Sequence, residues 1–187
     1  MDKTDEFWQQ YAAKKHSVTQ IERYIEHRSP DAILRFIRLG GGTSLGCACE
    51  SLAKLRFASL LKRNAGKTET EYDHIVRLGD RELYIEQKSA GHWSNTDYKW
   101  QHIAMAHKWH ILLLCGIHYD GVYFWALSRP MVNALIADHK ITTQGNKKGT
   151  SDQGMWCNYS AILPHLVPIH TNEDLLHFCQ SLAAADV

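Results

Sequence analysis

"EYDHIVRLGDRELYIEQKSAGHW" occupies residues 71–93, and its reading decides the fold. In YDHIVRL and ELYIEQK the apolar residues recur at every second position, the period of a half-buried strand. Gly79-Asp80 between them is a two-residue hairpin signal. With those two residues as the loop, Leu78 pairs with Arg81 and Asp73 falls opposite Glu86. Carboxylates facing each other across a ladder repel. Lys88, two residues beyond Glu86, leaves the same face. Leu83 and Ile85 on the other face supply packing. One face of a strand that should feed a core therefore carries two carboxylates and an ammonium.

Outward from the hairpin, residues 4–28 read as helical, with Phe7, Tyr11, Val18, Ile21 and Ile25 near helix spacing. A second helix follows, with Ser29 as cap, Pro30 in its first turn and Gly40 to Gly42 as its end. A third runs from Ser44 to Arg63 and lines up Glu50, Ala53, Phe57 and Leu61 on one stripe. Beyond the hairpin, residues 91–97 read as a loop and 96–108 as a helix with Thr96 as cap. Residues 109–129 read as two strands joined around Tyr119-Asp120-Gly121. Pro130 starts a short helix, residues 141–160 are polar and irregular, and a closing helix begins at Thr171 or Asn172. The expected fold is α/β, a central mixed β-sheet of about four to five strands flanked by helices. No repeat or linker divides the chain, so residues 1–187 read as a single domain: 1–43 helical, 44–130 the core, 131–187 C-terminal helices and a polar loop.

The chain has 187 residues, a formal net charge of +1 and five scattered cysteines. That length supports one full core, and an odd, scattered cysteine set argues against a disulfide framework. Cys47 and Cys49 form a C-x-C without a second pair, a weak metal signal. The longest apolar run, residues 109–117, is too short to span a bilayer. No secretory leader is visible, so the expected compartment is the cytoplasm. Bulk charge lends no support to nucleic-acid binding, although residues 53–63 and 144–150 are locally basic. His102, His107 and His110 lack the i, i+4 spacing of a zinc helix; His92 and Gln101 lie nearest the motif in sequence. Trp109, Tyr123 and Trp125 read as core, Trp93 and Trp156 as loop aromatics. The GGGTSLG segment, residues 40–46, lacks the ending of a phosphate loop.

A carboxylate in an apolar setting needs a partner or a metal. Two or three carboxylates with one lysine suit metal-assisted hydrolysis of a phosphodiester. Carboxylate oxygens bind Mg²⁺, which acidifies a bound water and shields phosphate charge. Lysine orients or deprotonates that water.

At these residues the sequence resembles the PD-(D/E)xK nuclease superfamily. The pattern stands as Tyr72-Asp73 and, thirteen positions after the aspartate, Glu86-Gln87-Lys88; Glu50 matches the upstream glutamate of many members. Tyr72 replaces the proline of the family name. The resemblance covers residues 45–130. It implies a mixed sheet flanked by helices, with the hairpin presenting the site. It also implies catalytic roles for Asp73, Glu86, Lys88 and Glu50, and metal binding by Asp73, Glu86 and the Gln87 backbone carbonyl. Within the superfamily the chain looks most like a small type II restriction endonuclease. That implies a Mg²⁺-dependent enzyme, with Mn²⁺ able to substitute, acting on double-stranded DNA as a homodimer. Residues 4–38 would be candidates for the dimer interface. Loops 89–97 and 142–158 would approach DNA through Ser94, Asn95, Gln144, Asn146, Lys147 and Lys148. Two other readings stay open: a repair, recombination or mobile-element nuclease of the same fold, and a non-enzymatic nucleic-acid-binding domain.

Overall fold

The computed structural model describes residues 20–38, 42–63, 71–94, 97–144 and 154–185. The hairpin forms as its sequence expects. β2 (His74–Leu78) and β3 (Arg81–Ser94) pair antiparallel from Leu78↔Arg81 to His74↔Ile85. Gly79 takes a φ of +60° in the loop, a conformation that only glycine adopts without a Cβ penalty. Before the hairpin come helices α1 (Gln20–Glu26), α2 (Asp31–Ile37) and α3 (Gly42–Arg56), then the two-residue strand β1 (Lys62–Arg63). After it follow β4 (Asp97–Ile103), β5 (Ile111–Ile117), β6 (Val122–Ser128) and α4 (Arg129–Ala137). The chain continues with β7 (Thr142–Thr143), β8 (Met155–Asn158), α5 (Tyr159–Ile162), β9 (Val167–Pro168) and α6 (Asn172–Ala185).

The architecture is α/β, a mixed sheet with flanking helices, as expected. Its size is not. Among the described residues nine strands join, in the order β7-β8-β4-β3-β5-β6-β9, with β2 attached to β3 and β1 to β2, where four to five were expected. Several of the additional strands are two to four residues long. A stretch that short carries no readable period; only its partner makes it a strand.

Two corrections concern the segment after the motif. Residues 91–94 continue β3 instead of forming a loop, because β3 runs parallel to β5 from Ile85↔Ile111 to Gly91↔Ile117 and then meets β4 at His92↔Tyr98. The helix expected over 96–108 is instead β4 followed by an irregular turn. β4 pairs with β3 on one side and with β8 on the other, through Lys99↔Asn158 and Trp100↔Cys157. Of its buried side chains Tyr98, Trp100 and Ile103, the first two are two apart, a strand spacing; tertiary pairing decides the conformation over local preference. His102, at φ +59°, lies where the β4–β8 register shifts before Ile103.

The helical ends also differ in detail. α3 stops at Arg56, not Arg63. Ser29 is buried and α2 has no side-chain cap. Gly42 opens α3 instead of closing the preceding helix. Most of the helix expected over 4–28, with Gly40 and Gly41, lies outside the described residues. The closing helix begins as its sequence suggests. Asp174 N–H donates to Thr171 Oγ1 at 3.2 Å, and Asp174 Oδ2 accepts from the Thr171 N–H at 2.9 Å, a reciprocal cap. Ser128 accepts from the Met131 N–H ahead of Pro130 in α4.

The sheet separates two cores. On one face Ile85, Leu113 and Cys115 pack with Ala53 and Phe57 of the α3 segment, Tyr24 and Ile33 of α1 and α2, and Phe178 of α6. On the other, Leu112, Leu114 and Leu127 pack against Trp100 and Ile103 of β4, Val132 and Leu135 of α4, and Ile162 of α5. β4 thus folds over the face that carries Leu112 and Leu114. Gly116 makes this possible: a Cβ there would meet rings of Trp125 and Tyr98 at 2.8 Å. Gly116→Ala should therefore cost about 1–3 kcal/mol by overpacking, read as a lower urea midpoint with unchanged slope. All five cysteines are free. Among the described residues no helix is long and apolar enough to cross a membrane.

Candidate active site

The site forms where β2 stops pairing with β3. The last ladder pair is His74↔Ile85. At the next step the Asp73 N–H still donates to Ile85 O at 2.8 Å, but the Gln87 N–H goes to Asp73 Oδ2 at 2.7 Å. A carboxylate stands where a strand carbonyl would have continued the ladder. Tyr72 stacks on Tyr84 at 4.3 Å and 10°, which anchors the residue before the aspartate. The Gln87 side chain leaves on the helical face, where Oε1 meets His74 Nε2 at 2.9 Å. Within a strand, a residue's N–H and C=O leave on the same edge. The Gln87 carbonyl therefore points along the edge that carries Asp73.

Glu86 and Lys88 share the opposite face, and their groups touch: Lys88 Nζ lies 2.5 Å from Glu86 Oε1. Glu86 is almost fully buried; Lys88 keeps a fifth of its side chain in solvent. Burial pushes the Glu86 carboxyl above its ordinary value. The Lys88 ammonium opposes that shift, and the Asp73 carboxylate adds to it. Glu86 and Lys88 are thus in contact, and Asp73, held on the Gln87 N–H, is near enough for its charge to act on Glu86.

The sequence reading missed one neighbour. His107 Nδ1 is 3.9 Å from Glu86 Oε2 and has no hydrogen-bond partner. It sits in the irregular turn after β4, which Arg129 organises. The guanidinium donates to His107 O at 2.9 Å and to Met105 O, and it stacks over Trp109 at 4.2 Å. Trp109 Nε1 in turn donates to Ala104 O at 2.9 Å. No sequence signal placed His107 here, because Arg129, which holds its carbonyl and the turn, lies more than twenty positions away.

Other expected participants stand elsewhere. Glu50 is half-buried on α3, which packs on the helical face of the sheet; the sheet therefore lies between α3 and the face of Glu86 and Lys88. Gln144 does not stand clear of the fold, because its Oε1 accepts from the His102 N–H at 3.0 Å on β4. Ser94 closes β3, not a loop. Asn95, Asn146, Lys147 and Lys148 lie outside the described residues. His92 is buried between the rings of Tyr98 and Tyr119, Gln101 is exposed, and His110 Nδ1 accepts from the Tyr84 N–H. Trp156 lies in β8 with Lys99 Nζ 4.3 Å over its ring. The described part of the expected dimer interface, residues 20–38, buries Tyr24, Ile33 and Ile37 in the chain's own core and leaves Ile25 exposed.

Among the described residues no group of three or more His, Cys, Asp or Glu is placed to hold a metal ion. A tetrahedral zinc site needs such a group, and among the described residues Cys47 and Cys49 belong to none. Magnesium asks for less: one or two carboxylates, with water and substrate phosphate completing its shell. Asp73, Glu86 and the Gln87 carbonyl are hard oxygen donors of that kind and number. The chain matches no protein-family model, no curated protein and no solved structure.

Proposed function

We propose that this chain is a Mg²⁺-dependent endonuclease that hydrolyses phosphodiester bonds of double-stranded DNA, a cytoplasmic homodimer of the type II restriction kind. The observation that supports it most is the meeting of Asp73, Glu86 and Lys88 at the point where the β2–β3 ladder ends. Asp73 commits Oδ2 to the Gln87 N–H and Glu86 commits Oε1 to Lys88. The second oxygen of each, with the Gln87 carbonyl, would hold the ion. Bound there, Mg²⁺ supplies a lowered water pKa and charge neutralisation at the phosphate.

The chain's own groups do the rest. Lys88 has three N–H donors and, among the described residues, contacts one carboxylate. Its ammonium orients an attacking water and stabilises the charge gathering on the phosphoryl oxygens. Asp73 is pre-positioned by its backbone bond, so little ordering is lost when substrate arrives. The turn bearing His107 brings its Nδ1 to 3.9 Å from Glu86 Oε2.

The test is digestion of phage DNA with Mg²⁺, followed by sequencing of the ends. Discrete fragments with common termini are the expected result. A smear or structure-dependent nicking would move the reading to a repair or mobile-element nuclease of the same fold. No cleavage with either Mg²⁺ or Mn²⁺, together with retained DNA binding, would leave a non-enzymatic binding domain.

A further inference from the structure

The same sheet face carries a second feature. Partners in a ladder point their side chains to one side. Through Glu86↔Leu112, Lys88↔Leu114 and Ala90↔Gly116 on β5, and Leu114↔Trp125 and Gly116↔Tyr123 on β6, the face of Glu86 and Lys88 also carries Trp125 and Tyr123. There a half-open cleft of about 320 Å³ is lined by Tyr98, His118, Tyr123, Trp125 and Tyr159. Every lining residue is a ring. Trp125 contacts Tyr159 at 5.3 Å and Tyr98 at 5.7 Å, and Tyr98 meets Tyr159 edge-on at 88°. The rings therefore brace one another. Trp125 packs on the second core, as the sequence reading expected, but both it and Tyr123 are only partly buried and keep ring surface at the cleft.

We propose that this cleft binds a single nucleobase displaced from the DNA strand under cleavage, an inference that rests on the nuclease reading. Among the described residues the lining holds no lysine or arginine, the side chains that most often hold a phosphate. It offers flat π faces, which stack on any base whatever its sequence. Polar handles are present for a base edge. Tyr123 Oη donates to Asp120 at 3.2 Å, and Asp120 also engages His118 Nδ1 at 2.6 Å, leaving the other imidazole nitrogen as a hydrogen-bonding atom. Position agrees as well. Gly116, whose missing side chain makes room for two of the rings, neighbours Ala90, four residues along β3 from Glu86. At about 3.3 Å per residue that is roughly 13 Å, or about four base steps of 3.4 Å. The cleft therefore lies within a few nucleotides' reach of Glu86, with the packed residues of β4 between them.

The experiment compares the affinity of the full chain, with Ca²⁺ in place of Mg²⁺, for an oligothymidylate and for an abasic oligomer of equal length. Charge attraction is common to both; stacking belongs to the first. Wild type should bind the base-bearing strand about 10-fold more tightly. Tyr123→Ala, and separately Trp125→Leu, should erase that difference and leave abasic affinity unchanged; the partly exposed Tyr123 is the variant expected to fold normally. Equal affinity of wild type for the two strands, or full discrimination by folded Tyr123→Ala, would overturn the proposal. Phage DNA cleavage, scored in parallel, separates the two readings. A protein that cuts but does not discriminate loses the cleft alone. One that discriminates but does not cut keeps the cleft and loses the nuclease.

Discussion

Lys88→Ala should lower the rate of DNA cleavage by about 10²–10⁴-fold, the range that a positioned acid–base group contributes, while DNA binding in Ca²⁺ stays within a few-fold. The expectation follows from position. Lys88 keeps a fifth of its side chain in solvent, and its recorded contact is Glu86 at 2.5 Å. Its removal opens no cavity in either core. It leaves Glu86 without its nearest cation, which strengthens the burial effect on that carboxyl and weakens any hold on a divalent ion. Lys88→Arg keeps the charge but substitutes a planar fork for a compact ammonium, and should recover little of the rate. Single-turnover kinetics on a defined fragment would measure both. Cleavage by Lys88→Ala at the wild-type rate would remove the lysine from the chemistry and leave the pair as a buried ion bridge.

Glu86→Gln should abolish cleavage and at the same time leave the metal-free protein as stable as wild type, or more so. The reason lies in the direction of the Glu86 shift. Burial raises its pKa in the folded state despite Lys88. Between the ordinary carboxyl value and that raised one, the folded chain binds more protons than the unfolded chain. Stability then falls as pH rises through this window. Above that window the ionised carboxyl is thus a net cost to the fold, which a neutral isostere relieves. Thermal melts in chelator should show Tm unchanged or higher for Glu86→Gln, and a weaker fall of Tm with pH above the acid range than in wild type. A variant several degrees less stable at neutral pH would mean that the Glu86–Lys88 bridge serves the fold. Wild-type cleavage should also decline as pH falls toward the raised Glu86 pKa, because the protonated carboxyl binds no cation.

Much of the site was readable from one short segment because its determinants are local. The alternation of ELYIEQK places Glu86 and Lys88 on one face whatever the rest of the chain does, and Gly79-Asp80 sets the register as far as His74↔Ile85. The next step was not readable. Asp73 does not simply oppose Glu86 in a ladder; its side chain takes the place of a ladder acceptor and caps the Gln87 N–H. Glu50 shows the limit of periodicity. Ala53, Phe57 and Leu61 of its stripe are buried although α3 ends at Arg56, whereas Glu50 itself is half-buried. Periodicity states which residues align. It does not state which side of a sheet the helix covers.

By itself, the order of residues determined an α/β chain, a tight hairpin at Gly79 and the adjacency of a carboxylate and an ammonium, because these depend on the two-residue period of a strand and on glycine's backbone freedom. Tertiary structure alone decided that residues 97–103 are a strand, that His107 reaches Glu86 and that five rings form a cleft over Gly116. Those outcomes depend on partners far along the chain: Asn158 and Cys157 beside β4, Arg129 beneath the His107 turn, and β5 and β6 beneath Tyr98. Contacts over such separations leave no local pattern, since the free energy that selects them comes from burial and pairing rather than from the conformational preferences of the segment itself.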